Sequence, residues 1–199
     1  MLIFKRLLTV LSLTILSHCA WANAYIGAGG GFSAPENAPS LNGANSSNQQ
    51  YTYNADLGYQ YNFAPHFASG IEADYINYGQ TNYTPSNTNS TNGSFANSAI
   101  QILVTGTYLM DNGVNTFVKA GVGHQTSELN LNNGSTSLST WIPDVAGGVG
   151  YYVLKNLDLY VQYQHSFGSN WNNANASNTP SNPTTMDSLT AGATYILPM

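Results

Sequence analysis

The sequence predicts an all-β fold: an eight-stranded antiparallel up-and-down β-barrel that crosses a membrane with its strands. Three observations lead there. Apolar and polar residues alternate with period two along eight segments of about ten residues. The connections between those segments alternate short and long, as they do when one end of a barrel is made of tight turns and the other of loops. Charged residues make up only 7% of the chain, against about 25% in ordinary soluble domains.

Residues 51–63 carry the clearest alternation. Tyr51, Tyr53, Ala55, Leu57, Tyr59, Tyr61 and Phe63 share one face, and Thr52, Asn54, Asp56, Gly58, Gln60 and Asn62 share the other. The apolar face has aromatics at both ends and small or aliphatic residues between, the order in which a bilayer places aromatic girdles. The first strand is expected at 24–33. In 66–78, Phe67, Ile71, Ala73 and Tyr75 oppose Gly70, Glu72 and Asp74. In 99–110, Ile100, Ile102, Val104 and Tyr108 oppose Gln101, Thr105 and Thr107. In 116–126, Val118, Ala120 and Val122 oppose Lys119, Gly121, Gly123 and Gln125. Segments 141–154, 157–168 and 187–197 complete the eight, with Val149, Val161 and Leu189 on the lipid side.

Tight turns are expected around Pro65-His66, Asp111-Asn112-Gly113 and Lys155-Asn156, and long loops over 34–50, 79–98, 127–139 and 169–185. This order places both termini in the periplasm and the long loops outside the cell. The loops are rich in Asn, Ser and Thr, as in Asn45-Ser46-Ser47-Asn48, Asn87 to Asn92, and Asn170 to Asn182. Such a composition suits a hydrated, uncharged surface or a surface exposed to a host or phage, and does not choose between them.

The N-terminus is read as a segment outside the fold. Lys5 and Arg6 precede the short apolar run Leu7 to Leu16, and Ala20-Trp21-Ala22 offers the small-x-small pattern of a cleaved signal peptide. The run is too short to serve as a membrane helix, which needs roughly 20 residues. Cys19 suggests a lipoprotein, but Leu16-Ser17-His18 before it fits that signal poorly. Residues 1–22 are therefore assigned as the signal peptide and 23–199 as the barrel domain. Cleavage after Ala22 removes the one cysteine, so no disulfide is expected. It also leaves Lys119 and Lys155 against nine carboxylates, a formal charge of −7. Two lysines cannot form a basic patch, which excludes nucleic acid as a partner. Fourteen tyrosines, 7 phenylalanines and 3 tryptophans argue against disorder.

Strand phase puts Lys119 in the lumen with Asp56, Glu72, Asp74, Asp144 and Asp158. This lumen charge network is the candidate site. It is expected either to close the lumen as a salt-bridge network or to gate small cations. Many lumen positions are glycine, among them Gly27, Gly29, Gly58, Gly148 and Gly192. They leave room for large residues such as Tyr25, Tyr152 and Tyr160, or else line a solute path; a plugged interior is favoured. Gly58→Ser is expected to be far milder than Leu57→Arg, because position 58 faces the polar interior and position 57 faces lipid. No cofactor, metal site or catalytic constellation is expected. His165 and Ser166 are adjacent, so they point to opposite faces, and Phe167 stands where a lipid A deacylase pattern needs a serine.

Three stretches then carry a family resemblance: Ala24-Tyr25-Ile26-Gly27-Ala28-Gly29-Gly30-Gly31, Phe117-Val118-Lys119-Ala120-Gly121-Val122-Gly123, and Ala146-Gly147-Gly148-Val149-Gly150-Tyr151. With the strand pattern they make the chain resemble the small outer-membrane β-barrel family that includes opacity-type surface antigens and the OmpA-like transmembrane domain. The resemblance implies surface exposure and a role as adhesin, structural protein or small pore. It also implies contact with outer-membrane lipid and lipopolysaccharide, and with the barrel assembly machinery during insertion. A host or surface ligand would be held by the loops. The alternative is a porin-like channel for small solutes or cations, and a third reading is a lipid-modifying enzyme. One departure stands out: such barrels end in Phe or Trp, whereas this chain ends Tyr195-Ile196-Leu197-Pro198-Met199.

Overall fold

A computed structural model describes residues 22–36, 44–46, 50–85, 93–131, 134–169 and 183–197. The strands are β1 (Ala22–Pro35), β2 (Ala44–Ser46), β3 (Gln50–Ala64), β4 (Phe67–Pro85), β5 (Gly93–Leu109), β6 (Val114–Leu131), β7 (Gly134–Leu154), β8 (Leu157–Ser166) and β9 (Met186–Ile196). Eight of them pair antiparallel with their chain neighbours, and the pairing of β1 with β9, from Tyr25↔Ile196 to Pro35↔Met186, closes the ring. The short β2 adds to the far end of β4. Closure leaves no free strand edge within the bilayer, where an unpaired backbone group would cost several kcal/mol.

The faces fall as the alternation predicts. Leu57 is 63% exposed on the outer wall, and Ile71, Ile102, Val104, Val122, Val149 and Val161 are exposed there too. Aromatics border this belt at both ends. At the turn end the Phe67 ring lies 4.9 Å from Tyr108 and 6.1 Å from Phe63. At the opposite, loop end Phe32 lies 5.5 Å from Tyr51, and His124 packs edge-on to Trp141 at 5.3 Å. The three tight turns form where expected. In the second, Gly113 takes φ +84°, where a side chain is strained, and Val114 N–H donates to Asn112 Oδ1 at 3.1 Å.

Two of the expected loops are largely strand. Residues 79–85 continue β4, 93–98 open β5, 127–131 end β6 and 134–140 open β7. Together they build a four-stranded wall rising beyond the loop-end girdle, with Tyr83↔Gly93 and Leu131↔Gly134 among its last pairs. A bulge at Asn77/Gly79 makes this possible in β4. Gly79 has φ +82°, its N–H is held by Asn77 Oδ1 at 2.8 Å, and the inward parity changes from even to odd residues. Inside the wall Tyr83, Phe95 and Leu129 form a buried apolar cluster, with Leu131 and Leu138 against it. Residues 1–21 of the segment 1–22 expected to be a signal peptide, the run 87–92 and Asn170 to Asn182 lie outside the described residues, as do Ser47 and Asn48.

Candidate functional site: the barrel lumen

The lumen is layered from the turn end upward. A mouth of about 420 Å³, lined by Asn23, Gln60, Asn62, Lys155 and Asn156 among others, opens at the turn end. It leads to a polar cavity of about 50 Å³ bounded by Tyr25, Glu72, Phe117, Lys119, Tyr152 and Tyr160. That space suits about four waters.

Lys119 reaches from β6 over the intervening β5 to β4. Its Nζ lies 2.7 Å from Glu72 Oε1 and 3.0 Å from Oε2. Tyr25 donates its hydroxyl to Glu72 Oε2 at 2.8 Å, so the carboxylate is held from both β1 and β6. The ammonium also stands 5.3 Å from the Phe117 ring and 6.0 Å from Tyr160, within reach of a cation–π attraction. Side-chain exposure is 11% for Lys119 and 2% for Glu72. An ion pair this sheltered keeps most of its Coulomb attraction but has given up hydration to form.

The remaining carboxylates divide among the layers. Asp56 and Asp74 are register partners on β3 and β4, and Asn54 Nδ2 reaches Asp56 Oδ1 at 3.4 Å and the Tyr160 hydroxyl at 3.3 Å. Asp158 sits nearer the turn end, where Asn115 donates to its Oδ1 at 2.9 Å. Asp144 belongs to a layer above the ion pair and accepts from the Ser166 hydroxyl. In that layer the buried Tyr78 hydroxyl lies 2.6 Å from Ser166 Oγ and accepts from Gln101 and Gln164 at 3.2 Å each, while Gln164 also donates to Gln101 at 2.9 Å. Ile76, Ala99 and Met186 pack beside Tyr78. Of the six charged residues read from strand phase, the structure brings Lys119 and Glu72 into contact and sets Asp56 and Asp74 on neighbouring strands. Asp144 and Asp158 have separate neutral partners.

The layer around Tyr78 was not singled out from the sequence. The signal was present: Glu72, Asp74, Ile76 and Tyr78 share one parity, so Tyr78 had to point inward. The glycines, by contrast, do what room for large residues requires. A β-carbon at Gly29 would lie 2.8 Å from the Tyr160 hydroxyl, and one at Gly192 would lie 2.6 Å from the same ring. Gly58 lies under the Tyr25 ring and Gly148 under Phe117. A serine at 58 is not free of cost, because its β-carbon would overlap the outer end of the Tyr25 ring, which must move aside.

His165 and Ser166 face opposite ways. Ser166 is in the lumen, while His165 Nδ1 lies 2.8 Å from Asp187 Oδ1 on the outer wall, where the Tyr163 hydroxyl also donates at 2.5 Å. Among the described residues no group of three or more His, Cys, Asp or Glu is placed to hold a metal ion.

A closed ring of eight strands with a lipid-facing outer wall matches the family model described as "Outer membrane protein beta-barrel domain" over residues 7–196. The chain belongs to this family. Its place is the outer membrane of a Gram-negative bacterium. Similar solved folds include Ail, the attachment invasion locus protein of Yersinia pestis, at 14% identity and TM-score 0.53, covering 88% of this chain and 97% of that one. Neisserial surface protein A follows at 17% identity and TM-score 0.51, covering 87% and 97%. The outer membrane protein OprG of Pseudomonas aeruginosa gives 14% and 0.53, covering 89% and 97%. Another structure of Ail is a complex with the heparin analogue sucrose octasulfate. At these identities the likeness is one of fold. No curated protein matches the sequence.

Proposed function

We propose that this barrel is a surface-interaction protein whose lumen is closed. In this reading residues 1–22 are removed as a signal peptide and 23–199 form the barrel. The turn end with both termini faces the periplasm, and the loop end meets lipopolysaccharide and host or surface ligands. The barrel assembly machinery would insert it by way of Leu189, Ala191, Ala193, Tyr195 and Leu197. The observation that carries the reading is the buried layer of Tyr78, Gln101, Gln164 and Ser166 across the lumen, above the Lys119–Glu72 pair. Strands built out at the loop end give this reading a raised surface on which a partner could be met.

A channel reading draws on a different observation, the mouth and cavity that reach Lys119 from the turn end. Planar-bilayer recording separates the two. A closed barrel gives little conductance as wild type. Lys119→Ala leaves Glu72 buried without its cation, which costs about 3–5 kcal/mol, so stability falls, and combining it with Tyr78→Ala, which empties the layer above, should make cation conductance rise. If wild type already conducts, and Lys119→Ala raises cation selectivity with unchanged unfolding, the closed-lumen reading is wrong.

A further inference from the structure

Just before its last strand the chain turns inward. Pro183, Thr184 and Thr185 lead into β9 and are buried, Thr184 completely. Gln125 Nε2 donates to the Thr184 carbonyl at 2.7 Å, and the Thr184 N–H donates to Ser127 Oγ at 3.3 Å. Both partners stand on β6, which β7 and β8 separate from β9. These three residues therefore form a strap that reaches across the interior. Ser169 N–H donates to the Pro183 carbonyl at 2.6 Å, Gly168 N–H to Thr185 Oγ1 at 3.1 Å, and Glu36 N–H to the Thr185 carbonyl at 3.0 Å. A β-carbon at Gly168 would overlap the backbone of Pro183 and Thr184, so glycine lets the strap lie against the end of β8. The next residue, Met186, packs on Ile76, Tyr78 and Ala99, which sets the strap on the loop-end side of the Tyr78 layer.

The two adjoining layers differ in how fully their polar groups are paired. Tyr78, Ser166, Gln101 and Gln164 bond to one another. Around the strap, Asn97 Nδ2, Gln125 Oε1 and Thr184 Oγ1 are buried without a hydrogen-bond partner among the described residues. Ser127 donates to the other end of the Asn97 amide, Oδ1, at 2.5 Å. Three unpaired polar atoms penalise the closed position and regain water on opening. The strap also lies outside the barrel ladder, joined to Ser169 by an isolated parallel bridge, so moving it breaks no strand pairing of the ring.

We propose that Pro183–Thr185 is a lid. It seals the Tyr78 layer from the loop end, and it lifts about the junction with Met186 to admit water and small solutes while the eight strands stay closed. The proposal rests on the closed-lumen reading and adds regulation to it: the interior is shut at two levels in series, and the upper one opens by itself.

The test uses residues 23–199 refolded in detergent micelles, a stretch that contains no cysteine. Ala99→Cys places a thiol beside Met186, and its reaction with a charged methanethiosulfonate reads access past the strap. Thr105→Cys, on the same strand at the turn-end cavity, is the control. Ala99→Cys should react roughly a hundredfold more slowly than the exposed Ser137→Cys, through local opening alone. Ser127→Ala removes the acceptor of the Thr184 N–H and should raise that rate roughly tenfold, the effect of one hydrogen bond. Thr184→Val removes the unpaired hydroxyl at nearly constant shape and should lower it by about the same factor. Thr105→Cys should follow neither change. Where Ser127→Ala does not refold, Gly168→Ala, which pushes the strap off its seat, takes its place. Ala99→Cys reacting as fast as Ser137→Cys overturns the lid, because nothing is then sealed. So does a rate that neither substitution moves, the mark of a fixed plug, or an acceleration shared by Thr105→Cys, the mark of a loosened barrel. Conductance of the wild-type barrel tests the closed lumen and labelling tests the lid, so either can fail without the other.

Discussion

The same four strands, β4 to β7, are built in opposite senses below and above the loop-end girdle. Below it, Ile71, Ile102, Val122 and Val149 face outward and Glu72, Gln101, Lys119 and Gly148 face the lumen. Above it, Asn82, Ser94, Thr126 and Ser137 face outward and Tyr83, Phe95, Leu129 and Leu138 face inward. Period two holds within each region; what inverts is which face is apolar. Lipid demands an apolar outside in the first region, and water demands an apolar inside in the second. β5, β6 and β7 make the change through residue choice alone, while β4 also shifts parity at Gly79.

Four substitutions break or sharpen this comparison. Phe95→Ala empties the core of the upper region and should cost about 3–5 kcal/mol there. Amide exchange across 93–98 and 127–131 should accelerate, while the gel shift of the lower barrel persists; simultaneous loss of both would mean the two regions melt as one. Leu57→Arg sets a guanidinium against lipid at a cost of about 2–4 kcal/mol, measured as lost insertion into vesicles. Gly58→Ser forces the Tyr25 ring aside, an overpacking penalty of about 1–3 kcal/mol, and should lower the urea midpoint. Ser137→Arg, an outward arginine like that of Leu57→Arg but above the girdle, should fall within about ±0.5 kcal/mol. If Ser137→Arg blocks insertion as Leu57→Arg does, the bilayer reaches higher than the girdle indicates.

Much of the lower region was legible because a bilayer writes strong contrasts: Leu57 against Gly58, Val122 against Gly123. Strand order and the three tight turns followed from those alternations and from Asn112-Gly113. The upper wall was read as loop because Ser, Thr and Asn dominate 79–98 and 127–139. Tyr83, Phe95, Leu129 and Leu138 carry its alternation, but with the polarity reversed, and a search for apolar residues facing out passes over them. In the lumen, strand phase identified which charged residues point inward. It could not say that Glu72 is the carboxylate within reach of Lys119, since that choice depends on the register that sets β4 and β6 on either side of β5.

The pairing of β1 with β9 has a consequence in time. Gly27 finds its partner in Thr194, so the first strand has one edge satisfied early, by β3, and the other only when the last strand arrives. Until then the chain is an open sheet with two exposed edges, which invites pairing with other chains and closes slowly because the decisive contact is so distant in sequence. A chain short of that last contact thus keeps its two edges open to other copies of itself, and the hazard lasts as long as closure takes.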